Sequence, residues 1–293
     1  MISLNSKRFP NSYYSVYGEG FPLVLLHGFG ETADIFQFQI ENLQKYYRLI
    51  VPEIPGTPHS QLPQEDMTME LIADFVHEIS IQEKLEKVIL CGHSMGGYAT
   101  LAYAEKYAES LAAFGLIHST ALADSSEKIQ NREKAIQLIL NGGKEAFLKA
   151  MTPNLYSEDS NQRIPELVQR HLSAALTIET EALIAYYKGM IARRDRKDIL
   201  KESKVPVLFV FGKHDNLIPY KEALELLSLP EVSKLELFEN VGHTSMYECP
   251  QNLNICINNF CKEVLNDKKT NFTKVKNEKK SFLYSCVCCF LYR

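Results

Sequence analysis

Short, mostly apolar runs punctuate the chain at 22–26, 47–52, 87–91, 112–117 and 207–211, and a further strand candidate, alternating polar and apolar, lies at 234–238. A run with no polar alternation is what a strand covered on both faces requires. Between them lie stretches of helical spacing at 69–82, from about 95 onward, at 220–227 and at 250–265. Strands alternating with helices of this length predict an α/β architecture, with a mostly parallel sheet and helices on both faces.

Residues 122–200 break the alternation. Ile129, Ala135, Ile136, Ile139 and Leu140 recur at helical intervals, as do Leu167, Leu172, Leu176, Leu183 and Ile184, and no strand pattern intervenes. The segment reads as an all-helical insertion between two strands of the sheet. Core residues are therefore expected at 1–121 and 201–267, the insertion at 122–200, and a tail at 268–293. The tail holds seven basic residues and one acid and ends in a cysteine-bearing apolar stretch. A solvated basic tail is the plainer reading, and a peripheral membrane anchor the sharper one.

The chemistry sits at strand ends. Directly after the run at 87–91 comes Gly92-His93-Ser94-Met95-Gly96, followed by a helical stretch. Strand, sharp turn and helix is the setting of a nucleophile elbow. A serine hydroxyl needs a base, and the base needs an orienting carboxylate. Asp215 follows the run at 207–211, and His243 follows the run at 234–238, in the order serine, acid, histidine. Asp124 is the second candidate for the acid. His27-Gly28-Phe29-Gly30 follows the first buried run, so the Phe29 and Met95 amides are the expected oxyanion donors. His27, Gly28 and His118 are expected to contact substrate. Phe29, Phe147, Met151, Tyr186, Tyr187 and Met190 are candidates for pocket lining, and Arg132, Arg193 and Arg194 for a carboxylate clamp. A solvated helix face is the competing use of those arginines.

These motifs resemble the α/β-hydrolase superfamily with a helical cap, over residues 12–265. The resemblance implies an eight-stranded-type sheet and a Ser94–His243–Asp215 serine hydrolase acting on an ester, thioester or related carbonyl bond, with no organic cofactor and no metal. Alternatives are a carbon–carbon bond hydrolase or cofactor-free lyase, and a ligand-binding protein that keeps the triad. One loop departs from the family pattern: Glu53-Ile54-Pro55-Gly56-Thr57-Pro58-His59-Ser60 carries Pro58 where a second glycine is usual. Glu53 is read there as a salt-bridge partner.

Composition narrows the field further. At 293 residues the chain suits one large domain with an insertion, and its net charge of −4 speaks against nucleic-acid binding. The N-terminal stretch lacks a signal-peptide core, and no apolar run is long enough to span a bilayer. Seven cysteines without a signal peptide suggest free thiols, hence a cytoplasmic protein acting on a small molecule without stable membrane insertion. Oligomeric state is left open.

Overall fold

The computed structural model describes residues 1–266. Eight strands form one sheet: β1 (Ile2–Ser3), β2 (Tyr13–Tyr17), β3 (Pro22–Leu26), β4 (Arg48–Pro52), β5 (Val88–His93), β6 (Leu111–Ile117), β7 (Val207–Gly212) and β8 (Ser233–Phe238). Their spatial order is β1-β2-β4-β3-β5-β6-β7-β8. The first two strands pair antiparallel and the other six run parallel. The basic tail expected at 268–293 lies outside the described residues.

Continuous apolar runs form the centre of this sheet because side chains alternate between two cores. Val24, Leu26, Leu90, Phe209 and Phe211 pack one face, and Leu23, Leu25, Ile89, Leu208 and Val210 the other. Helices α1 (Gln37–Leu43), α2 (Met69–Gln82) and α3 (Met95–Lys106) connect strands in the first half. The Thr68 hydroxyl caps α2 by accepting the Leu71 N–H at 3.0 Å.

Strand order reverses around β3. The chain leaves β3 for β4 on one side and comes back to β5 on the other. The crevice beyond the C-terminal ends of β3 and β5 is thus the topological switch point, where open α/β sheets bind ligands. Both Leu26-His27-Gly28 and Gly92-His93-Ser94 open onto it.

Between β6 and β7 the described residues form six α-helices: α4 (Ser126–Leu138), α5 (Lys144–Met151), α6 (Glu158–Arg163), α7 (Pro165–Thr177), α8 (Thr180–Ala192) and α9 (Lys197–Glu202). Gly142, at φ +83°, supports the break between α4 and α5. The insertion is fastened to the core by buried polar contacts. Arg196 donates to Glu105 Oε2 at 2.9 Å and also reaches Glu70. Tyr186 donates its hydroxyl to Pro55 O at 2.8 Å, pinning the unusual proline-bearing loop against α8. Within that loop Glu53 is buried and accepts from the Ala33 N–H at 3.3 Å, so it braces backbone instead of forming a salt bridge. Helices α10 (Tyr220–Ala223), α11 (Ser245–Glu248) and α12 (Pro250–Asn266) complete the fold. No helix among the described residues is long and apolar enough to cross a membrane.

Candidate active site

The turn at Ser94 is strained and tightly packed. Ser94 has φ 51°, a conformation that costs a residue bearing a Cβ. Its N–H donates to Ile117 O at 2.9 Å, and its carbonyl accepts from the Gly97 N–H and the Ser119 hydroxyl. The flanking glycines are required by space. A Cβ on Gly92 would lie 2.2 Å from Gly96 O, and one on Gly96 would lie 2.3 Å from Leu26 O. This closeness lets α3 begin against β3 and β5 with Met95 as its first residue. That leaves the Met95 N–H without a helical acceptor.

Asp215 and His243 meet beside this turn. His243 Nδ1 donates to Asp215 Oδ2 at 2.8 Å, with both side chains nearly or fully buried. Asp215 Oδ1 accepts the N–H groups of Leu217 and Ile218, each at 2.9 Å. Burial alone would raise the Asp215 carboxyl, but His243 and His118 outweigh it and hold the group well below the usual carboxylate range. Asp124, the second candidate for the acid, is elsewhere: it accepts from Arg132 and Arg193.

Three residues expected to touch substrate hold backbone or side chains in place instead. His118 is fully buried behind Asp215. Its Nε2 accepts the Ser245 N–H at 3.4 Å and lies 2.8 Å from the Ser245 hydroxyl. Nδ1 therefore carries the proton and donates to Asp215 Oδ2 at 3.2 Å. Burial lowers the His118 pKa, in keeping with a neutral ring. His27 is also fully buried, accepting the Ile54 N–H on Nε2 at 3.1 Å and donating from Nδ1 to Gly28 O at 3.0 Å. Gly28 donates its N–H to Glu31 Oε2 at 2.6 Å. None of the three lines the cavity over Ser94.

Glu31 and His93 form a buried pair that the sequence did not mark. His93 Nδ1 faces Glu31 Oε2 at 2.9 Å, and Nε2 faces the His243 carbonyl at 2.8 Å. Both partners are acceptors, so both ring nitrogens carry protons and the ring is an imidazolium. Burial opposes that charge, yet Glu31 raises the His93 pKa; in turn His93 overrides burial and brings Glu31 down to about 2. The pair ties the Gly28 loop, the elbow and the His243 loop together. His171 lies nearby, with burial lowering its pKa to about 4 and its Nδ1 at 2.9 Å from the Tyr156 hydroxyl. Glu248 performs a similar service. Its carboxylate accepts from the Gly242, Thr244 and Ser157 N–H groups, joining the His243 loop to the helical insertion.

A consequence for stability follows from the Glu31 pKa, which is depressed from 4.5 to about 2. A depressed carboxylate stabilises above its unfolded value, and the benefit is lost as pH falls through the folded one. For Glu31 this amounts to roughly 3 kcal/mol. The raised His93 pKa has the opposite sign, its share being complete below about pH 6.5 and lost as pH rises through the folded value. Glu31→Gln is expected to lose about 3 kcal/mol in urea unfolding between about pH 4.5 and 6.5. The gap from wild type should close toward pH 2 and narrow in alkali. A gap independent of pH would contradict the assignment.

Above Ser94 and His243 lies a cavity of about 610 Å³. Phe29, Phe147, Met151, Tyr187 and Met190 line it, as expected. Tyr186 does not, being spent on Pro55. Phe29 stacks on Tyr187 with ring centroids 4.3 Å apart. Arg132 and Arg193 reach the cavity, whereas Arg194 points to the surface, paired with Glu105 and Asp198.

Comparison with known proteins shows the family. Residues 22–250 match the family model for the α/β hydrolase fold, and the chain belongs to that family. It is a hydrolase. An AB hydrolase superfamily protein of Bacillus subtilis, YisY, is 30% identical over 252 residues, spanning 83% of this chain and 92% of its own. A pimeloyl-[acyl-carrier protein] methyl ester esterase of Vibrio campbellii is 27% identical, covering 74% of this chain and 85% of its own. A thermophilic esterase from Thermogutta terrifontis, solved with malate bound, superposes with a TM-score of 0.83 at 29% identity, covering 86% of this chain and 93% of its own.

Proposed function

We propose that the protein is a serine esterase in which Ser94 is the nucleophile, His243 the base and Asp215 the orienting acid. The observation that carries this reading is the buried 2.8 Å hydrogen bond from His243 Nδ1 to an ionised Asp215, next to a serine held at φ 51°. With Nδ1 committed as donor, Nε2 of His243 is left with its lone pair and can take the Ser94 proton. The Ser94 oxygen then attacks the ester carbonyl. Negative charge gathers on the carbonyl oxygen, where the Phe29 and Met95 amides serve as donors. Imidazolium returns the proton to the leaving alkoxide, giving an alcohol and an acyl-enzyme. Water, deprotonated by His243, then attacks that acyl group and releases the acid, and Ser94 recovers its proton.

The helices between β6 and β7 act as a cap that excludes water and sets specificity through the apolar cavity wall. A cytoplasmic location is part of the reading. Cys91, Cys249, Cys256 and Cys261 are free thiols. Burial pushes the Cys91 thiol up to about 12, which makes it inert and suits a reducing compartment.

The test is direct. Fluorophosphonate should label the protein stoichiometrically, and p-nitrophenyl acetate should release a burst of nitrophenol equal to the enzyme concentration. Labelling that persists in Ser94→Ala sinks the assignment. A vinylogous diketone panel run alongside separates ester cleavage from carbon–carbon cleavage.

A further inference from the structure

Two guanidinium groups and one carboxylate meet at the cavity wall. Asp124, whose side chain is 0% exposed, accepts from Arg132 Nε at 2.7 Å and from Arg193 Nη2 at 2.9 Å. Arg193 also donates to the carbonyls of Met190 and Leu122. Its Nε is buried and lacks a partner, although the side chain is only 3% exposed. Aromatic faces hold both cations: Arg193 lies 3.9 Å from the Tyr98 ring centroid, and Arg132 5.5 Å from that of Tyr187. Both arginines and both rings line the cavity above Ser94.

The charges around this wall do not balance. Glu31 and His93 cancel each other, and Glu127 and Lys128 cancel at the rim. Asp124 offsets one guanidinium only. The Asp215 carboxylate is turned to His243 and His118 and does not line the cavity, so along the lining one positive charge remains, half-withdrawn from water, where an unpaired charge is costly. Arg132 turns Nε and Nη2 to Asp124, which leaves Nη1 as its donor toward a ligand, and a guanidinium N–H is a strong partner for a carboxylate. Arg194 shows the contrast, since it sits 44% exposed among Glu105 and Asp198, with its charge already answered.

We propose that the substrate is an ester bearing a second, free carboxylate, and that Arg132 and Arg193 bind that carboxylate in the cavity while Ser94 works on the ester carbonyl. This rests on the esterase reading above. Asp124 is then the positioning residue that aligns the two guanidinium groups and leaves them one charge in surplus.

The test compares monomethyl succinate, glutarate and adipate with neutral methyl esters in which an isopropyl group replaces the carboxylate, each followed by acid release. For at least one chain length, kcat/KM should favour the anionic ester by about tenfold or more, since hydrogen bonds to charged groups carry that much. The preference should shrink with added salt. In Arg132→Gln the anionic-to-neutral ratio should fall about 10–100-fold, and Arg132→Lys should restore part of it. A wild-type ratio at or below one across the series overturns the proposal, as does a ratio unmoved by Arg132→Gln, which would make the arginines a structural tether only. If Arg132→Gln fails to fold, the wild-type ratio and its salt dependence decide. A measurement without turnover separates this proposal from the esterase reading: glutarate should raise the melting temperature of Ser94→Ala protein but not of Ser94→Ala with Arg132→Gln. Stabilisation without ester turnover in the wild type would keep the carboxylate site and remove the esterase. Turnover of neutral esters without stabilisation would do the reverse.

Discussion

Ser94→Ala should lower kcat on a nitrophenyl ester by on the order of 10^6-fold while leaving the melting temperature nearly unchanged. The two halves of this expectation have separate causes. Removing Oγ removes the atom that forms the acyl-enzyme, so reaction must proceed by direct attack of water. In the proposed mechanism the amides of Phe29 and Met95 and the His243 base would still assist that attack, leaving a residue of activity above the uncatalysed rate. The fold loses little because the Ser94 side chain makes no cap hydrogen bond to α3. The turn is held by backbone contacts, namely Ser94 N–H to Ile117 O and the Ser94 carbonyl to Gly97 and Ser119. Alanine keeps all of these. Steady-state kinetics beside a circular dichroism melt checks both halves, and retention of more than about 1% of kcat would exclude Ser94 as nucleophile.

The sheet was legible in the sequence where chemistry is local. Strands β3, β5 and β7 are buried on both faces, so they appear as unbroken apolar runs. Helix α2 announces itself by its spacing, and Thr68 in front of it supplies the cap. Strand β2 did not stand out, because Tyr13-Tyr14-Ser15-Val16-Tyr17 lies towards the sheet edge and is only partly buried. Short helix α1 also escaped notice. The Gly-x-Ser-x-Gly turn, Asp215 and His243 were readable because each sits just beyond a recognisable strand.

What the sequence hid is contact between distant segments. Glu31 pairs with His93 across 62 positions, and only the strand reversal at β3 and β5 brings them together. No local pattern distinguishes Glu31 from an ordinary loop acid. His118 and His27 stand at strand ends, where a residue is expected to meet substrate. Both rings turn inward, where backbone and Asp215 claim their nitrogens. Asp124 lies in a region that could supply a triad acid, but the fold of α8 delivers Arg193 to it from 69 positions away. Helical spacing predicts that Arg132 and Arg193 lie on helices or at their ends; it does not reveal that they share one carboxylate.

Asp215→Asn should reduce kcat by about 10^4-fold without dismantling the site. The reason lies in how Asp215 divides its two oxygens. Oδ1 accepts the Leu217 and Ile218 N–H groups, while Oδ2 accepts His243 Nδ1 and His118 Nδ1. An asparagine keeps its oxygen toward the two backbone donors, since its amide nitrogen cannot accept from them. The NH2 group then faces both imidazoles. His243 must present a lone pair at Nδ1, which moves its proton to Nε2 and aims an N–H at Ser94 where a base is needed. His118 is caught in the same way: its protonated Nε2 can donate to the Ser245 hydroxyl 2.8 Å away but no longer accepts the Ser245 N–H. The stability loss is therefore confined to the buried charge and its donors, and the catalytic loss to the tautomer of His243. Fluorophosphonate labelling should slow in parallel with kcat, while the neutral-ester KM changes far less than kcat. If kcat instead falls less than about tenfold, His243 is not oriented by Asp215 and the base must be held by other contacts, of which the His93 bond to the His243 carbonyl is the first to test.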